Sequence, residues 1–133
     1  MTVKKYSSWP DARINYHIAR LVGNRIVQTQ HFSHVRIEML DNQDNLVTGI
    51  DVPDGNSSPR YVFWEFGLWA KNINMALALC RNCEVRIFGK DVELIDHERN
   101  LTAFAQGNTA RAISECWLLL QEHRWIISQS GAR

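Results

Sequence analysis

The chain reads as an α+β protein in which N-terminal, central and C-terminal helices pack with an antiparallel sheet of about four to six strands. Three observations predict this. Apolar residues recur at helical spacing near both ends. Runs of alternating apolar and polar residues, joined by short polar turns, fill the stretches between. A central run at residues 71–80 recovers helical character before strand patterns resume.

The first helix is expected over residues 10–22. Pro10 is tolerated in a first turn, Ser8 can cap, and Asp11 complements the positive end of the helix dipole. Ile14, Ile18, Leu21 and Val22 share one face, and Gly23-Asn24 ends the run. Val35, Ile37 and Met39 then alternate with Arg36, Glu38 and Leu40, a half-buried strand that turns at Asp41–Asn45 into Leu46–Ile50 as a hairpin. Val52–Pro59 is dense in turn formers and reads as a loop. Tyr61–Trp69 is apolar on both alternating faces, so it reads as a fully buried strand or as a surface meant to be covered. Helix returns through Ile73, Met75, Ala76, Leu77 and Leu79. Glu84–Phe88 and Val92–Ile95 form strands joined at Gly89-Lys90-Asp91, and Leu101–Ala105 leads to a last helix at about 109–123.

At 133 residues with 45% hydrophobic content, the chain is expected to form a single domain over residues 1–133. No stretch approaches the roughly 20 apolar residues of a membrane span, and the polar start lacks a signal segment, which predicts a protein of the cytoplasm. Fifteen Lys and Arg face fourteen Asp and Glu, a balance that argues against nucleic acid as the main partner. The one asymmetry is at the front, where Lys4, Lys5, Arg13, Arg20 and Arg25 are opposed by Asp11 alone within residues 1–25. That could make a modest basic patch, and the favoured reading is a solvated helix face. Three cysteines, Cys80, Cys83 and Cys116, are read as reduced thiols.

Three segments carry a resemblance. Tyr6-Ser7, Asp11, Ile14-Asn15 and Ile18-Ala19 at the front, Asn72–Ala76 in the middle, and Asn108, Arg111-Ala112 and Gln121-Glu122 at the end resemble small phage proteins of the NinX type, placed with the phage ABA-sandwich proteins. The resemblance implies a phage source, a host-cytoplasm location and an α+β fold. Residues 25–60 are longer than the resemblance leads one to expect.

Motifs for chemistry are sparse. Cys80-Arg81-Asn82-Cys83 with His31 and His34 has the residue types of a zinc site. However, a spacing of three on a strand puts the histidines on opposite faces, and Cys80 continues an apolar helix face, so neither metal nor cofactor is expected. Cys116 sits among Ala112, Ile113, Trp117 and Leu120 and reads as packing rather than a thiolate. Asp91, Glu93 and His97 are the residues of the least favoured reading, a hydrolytic enzyme. The expectation is a protein without enzymatic activity.

Five tryptophans (Trp9, Trp64, Trp69, Trp117, Trp125) are many for this length. Arg111, in the first turn of a helix capped by Asn108, opposes the dipole unless an anion sits there or Glu115 pairs with it. The expected site therefore joins Arg111, Asn108 and Thr109 on a phosphate, Trp64 or Trp69 on a base, and Arg60, Arg81 or Arg86 as added charge. By analogy with small α+β phage proteins, the function expected is counter-defence by sequestering a nucleotide-derived signal, in a homo-oligomer enclosing a small anionic ligand. The alternative is a protein inhibitor or immunity-type protein that blocks a bacterial or phage-borne factor, such as a host defence protein, through the 25–60 insertion. On the first reading, Arg111→Glu abolishes binding and leaves the fold intact.

Overall fold

Among the described residues, strands pair only with their neighbours in sequence, and the result is two three-stranded antiparallel sheets. The structure is a computed structural model that describes residues 5–131, with side chains through Glu122; Lys4 and the side chain of Trp125 lie outside the described residues. The fold is α+β, with six strands and four helices among the described residues. The strand number is the expected one, and its division into two sheets is the difference.

The chain separates into two compact units, Asp11–Phe66 and the residues from Gly67 onward together with those up to Pro10. The first unit contains α1 (Asp11–Val22), β1 (Arg25–Gln30), β2 (His34–Leu40), β3 (Leu46–Pro53) and α2 (Pro59–Glu65). Val35, Ile37 and Met39 are buried along β2 while their alternates are half-buried, the predicted period of two. β2 lies in the middle, so both of its edges are paired, and the Asp41–Asn45 turn joins it to β3 as expected.

Two elements differ from expectation. β1 was not anticipated, because its residues are mostly exposed and show no clean alternation. The Tyr61–Trp69 run is not a strand: its first half is helix α2, which packs on α1. β-branched and aromatic residues suggested a strand, but Pro59 occupies the first helical turn, where its missing N–H costs nothing. Asn15, fully buried in α1, donates from Nδ2 to the Trp64 carbonyl at 2.8 Å and so satisfies the end of α2. The predicted 52–59 loop is shorter too. Pro53 belongs to β3, an edge strand, where proline's missing donor is tolerated.

The second unit contains α3 (Ile73–Leu79), β4 (Glu84–Phe88), β5 (Asp91–Asp96), β6 (Leu101–Gln106) and α4 (Thr109–Gly131). Asn72 caps α3 by accepting from the Met75 amide at 3.2 Å. Gly89, with φ 62°, supplies the left-handed residue that the two-residue β4–β5 turn requires. α4 packs on β5, β6 and α3. Ala112, Ile113, Cys116, Trp117 and Leu120 are buried as the helical period predicts, and Ser114, Glu115 and Leu118 are buried as well. No helix among the described residues is long and apolar enough to cross a membrane.

A candidate anion site lined by arginines

Within the first unit a recess of about 330 Å³ opens between the end of α1, the start of β1 and α2. Its geometry begins with helix periodicity. Tyr16 and Arg20 are four residues apart on α1 and share its outer face, opposite the buried Ile14 and Ile18. α1 ends in a Schellman arrangement. The Asn24 amide donates to Ala19 O at 2.9 Å and the Gly23 amide to Arg20 O at 3.3 Å, with Gly23 at φ 81°. This reversal sends the chain straight into β1, so that Asn24, Arg25 and Ile26 line the same recess as Tyr16 and Arg20. Arg60 and Trp64, one turn apart on α2, complete the wall.

The aromatic groups are ordered by one another. Tyr16 meets Trp64 edge to face with ring centres 5.2 Å apart, and Trp64 meets Phe63 in the same manner at 5.1 Å. Arg20 lies over the Tyr16 ring, 5.8 Å from its centre. Arg60 donates from Nε to Gln28 Oε1 at 3.2 Å, and Arg25 donates from Nη2 to Asp44 Oδ1 at 2.7 Å. No carboxylate is among the described residues that line the recess. Three guanidinium groups beside two aromatic rings can hold a planar group and an anion together.

The expected site residues fall in several places. Arg60 and Trp64 come together in this recess. Asn108 caps α4, its Oδ1 accepting from the Arg111 amide at 3.3 Å, and Thr109 begins that helix. The Arg111 side chain is turned inward. Its Nη2 donates to Tyr6 O at 2.8 Å, Trp9 O at 2.6 Å and Glu115 Oε1 at 3.3 Å, and it is only 16% exposed. It ties the N-terminal segment to α4, helped by Tyr6 Oη donating to Glu122 Oε2 and by the Lys5–Glu122 ion pair, both at 2.7 Å. Trp69 is buried at 4% exposure, which closes its ring to a stacking ligand. Arg81 is exposed in the turn after α3. Arg86 on β4 pairs with Glu84 and Glu93.

Sequence reading missed Tyr16, Arg20 and Arg25 as a group with Arg60 and Trp64. The excess of arginine in residues 1–25 was the available signal, and it was read as solvation.

A second recess, of about 340 Å³, lies on the β4–β6 sheet beside Phe88, Asp91, Glu93 and Phe104. His97 is engaged elsewhere, with Nε2 2.7 Å from Glu84 Oε1. That contact and the Arg86 guanidinium hold the Glu84 carboxyl below the usual carboxylate range. Cys116 is fully buried, and burial pushes its thiol up to about 12, which keeps it neutral. His31 and His34 flank the β1–β2 turn with rings stacked 4.8 Å apart. Among the described residues no group of three or more His, Cys, Asp or Glu is placed to hold a metal ion.

Compared with models of protein families, with curated proteins and with solved structures, the chain matches none.

Proposed function

We propose that the chain is a non-enzymatic binding protein that takes up and sequesters a small anionic ligand of the nucleotide class. The observation that carries this is the convergence of Arg20, Arg25 and Arg60 with Tyr16 and Trp64 around one recess. Its volume, about 330 Å³, is at the lower end of the range of small-molecule sites. A phosphate would be met by guanidinium donors and a base by the exposed part of Tyr16 and Trp64. The more specific role of phage counter-defence rests on analogy of fold with small α+β phage proteins that act in this way. Homo-oligomerisation belongs to the same proposal, and the apolar Tyr61–Trp69 run offers it Tyr61, Val62 and Phe66, which are exposed, while Phe63, Leu68 and Trp69 are buried and Trp64 is half-buried.

The test is calorimetric titration with ATP, cyclic dinucleotides, cyclic trinucleotides and ADP-ribose, using wild type and Arg60→Glu. Binding at micromolar concentration that weakens at least ten-fold in Arg60→Glu, with an unchanged melting temperature, is the expected result. Absence of binding across the panel at high micromolar concentration rejects the reading in favour of a protein inhibitor. That second reading has its own observation: Phe32, at the tip of the β1–β2 hairpin, is fully exposed at 102%, the position of a side chain that would anchor in a partner's pocket.

A further inference from the structure

Among the described residues, the acid that engages the arginines of the recess is Asp44, through Arg25. It belongs to the β2–β3 turn, whose geometry is fixed from within. Asp44 adopts the left-handed region at φ 64° and donates its amide to Asp41 O at 3.0 Å. The Asp41 carboxylate accepts from the Gln43 and Asn45 amides, both at 2.9 Å, bonds that favour its charged form and hold its carboxyl below the usual range. The turn therefore presents the Asp44 carboxylate from a defined backbone. Both partners are more than half exposed, 57% for Arg25 and 71% for Asp44, so the contact is open to an incoming group.

A carboxylate on a guanidinium N–H uses the donor that a phosphate oxygen would use. We infer that Asp44 is a built-in competitor: it occupies the anion position on Arg25, and a phosphorylated ligand takes that position by displacing it. This rests on the anion-binding reading of the recess. The exposed ion pair is worth little, so displacement is favourable for a ligand that gains contacts to Arg20, Arg60 and the rings as well. The competition shows as an affinity about two- to five-fold lower than the recess would otherwise have. Free phosphate, weak and singly anchored, is thereby disfavoured against ligands that also reach Arg20, Arg60 and the rings.

The experiment titrates ATP and adenosine into wild type, Asp44→Asn, Arg25→Gln and the double variant at low salt, with the melting temperature of each as a fold control. Asparagine tolerates the left-handed backbone, so the turn is kept. Asp44→Asn is expected to bind ATP two- to five-fold more tightly than wild type. Adenosine affinity should not change, and the gain should vanish in the Arg25→Gln background. Equal ATP affinity in wild type and Asp44→Asn, or a gain that persists without Arg25, overturns the competitor role and leaves the recess as a binding site. If none of the four proteins binds ATP, the anion-binding reading falls and the competitor with it.

Discussion

The start of α4 and the recess beside α1 each gather arginine near a helix end, yet the protein uses the two differently. At α4, Arg111 is spent on the protein itself: two backbone carbonyls and Glu115 take its Nη2. At the recess, Arg25 and Arg60 are engaged by an exposed carboxylate and an exposed amide, one bond each. The contrast shows that a guanidinium is recruited into structure when a segment distant in sequence brings carbonyls against it, since a buried arginine must be met on several sides. Arg25 and Arg60 are met instead by side chains.

The sharpest way to break the comparison is Arg111→Glu. This change removes the tie to Tyr6 and Trp9 and sets two carboxylates four residues apart where Glu115 is 6% exposed. Urea unfolding should register a loss of about 3–5 kcal/mol. A variant of wild-type stability that loses ligand binding would instead make the α4 start the functional site and invert the assignment.

Asn15→Leu probes the recess from beneath. It leaves the Trp64 carbonyl without the Nδ2 donor at a fully buried position, so a loss of about 1–3 kcal/mol is expected. Because Trp64 forms a wall of the recess, ligand affinity should fall along with stability. Unchanged affinity would mean that the ring is positioned by Tyr16 and Phe63 without help from the α2 terminus.

Where local pattern and tertiary environment agree, the sequence was readable. β2 alternates as its burial does, the Gly89-Lys90 turn follows from turn chemistry, and the buried face of α4 follows from a period of 3.6. α2 was not readable, because Val62, Phe63 and Trp64 have strand propensity, while Pro59 in the first turn, a distant asparagine at the end and packing on α1 support the helix. The arginine recess was half readable. Arg60 and Trp64 stood out by type, whereas Arg20 and Arg25 join them only through the left-handed residue at Gly23, which turns the chain from helix into strand. Arg111 was half readable for a related reason: Glu115, four residues on, is a partner that helical spacing offers, whereas Tyr6 and Trp9 are more than 100 residues away in sequence.

The smallest effect separates the two regions by pH. Arginine keeps its charge throughout the accessible range, so no alkaline transition comes from guanidinium groups. α4 carries one. Burial raises the Cys116 thiol from an ordinary 9.0 to about 12, and burial followed by the Glu122 contact raises the Tyr6 hydroxyl from 10.0. Between the ordinary and raised values the unfolded chain releases a proton that the folded chain keeps. Both groups thus contribute stability that is fully present below pH 9 and declines as pH rises toward 12. By pH 10 the cysteine accounts for a loss of about 1 kcal/mol relative to pH 8, and the tyrosine, whose ordinary value is higher, for less. Urea midpoints at the two pH values should therefore differ in wild type and differ less in Cys116→Ala, whose cavity lowers both midpoints alike. Arg60→Glu should retain the full wild-type difference. An equal pH response in wild type and Cys116→Ala would mean that the thiol ionises in the folded protein and that the α4 packing is open to water.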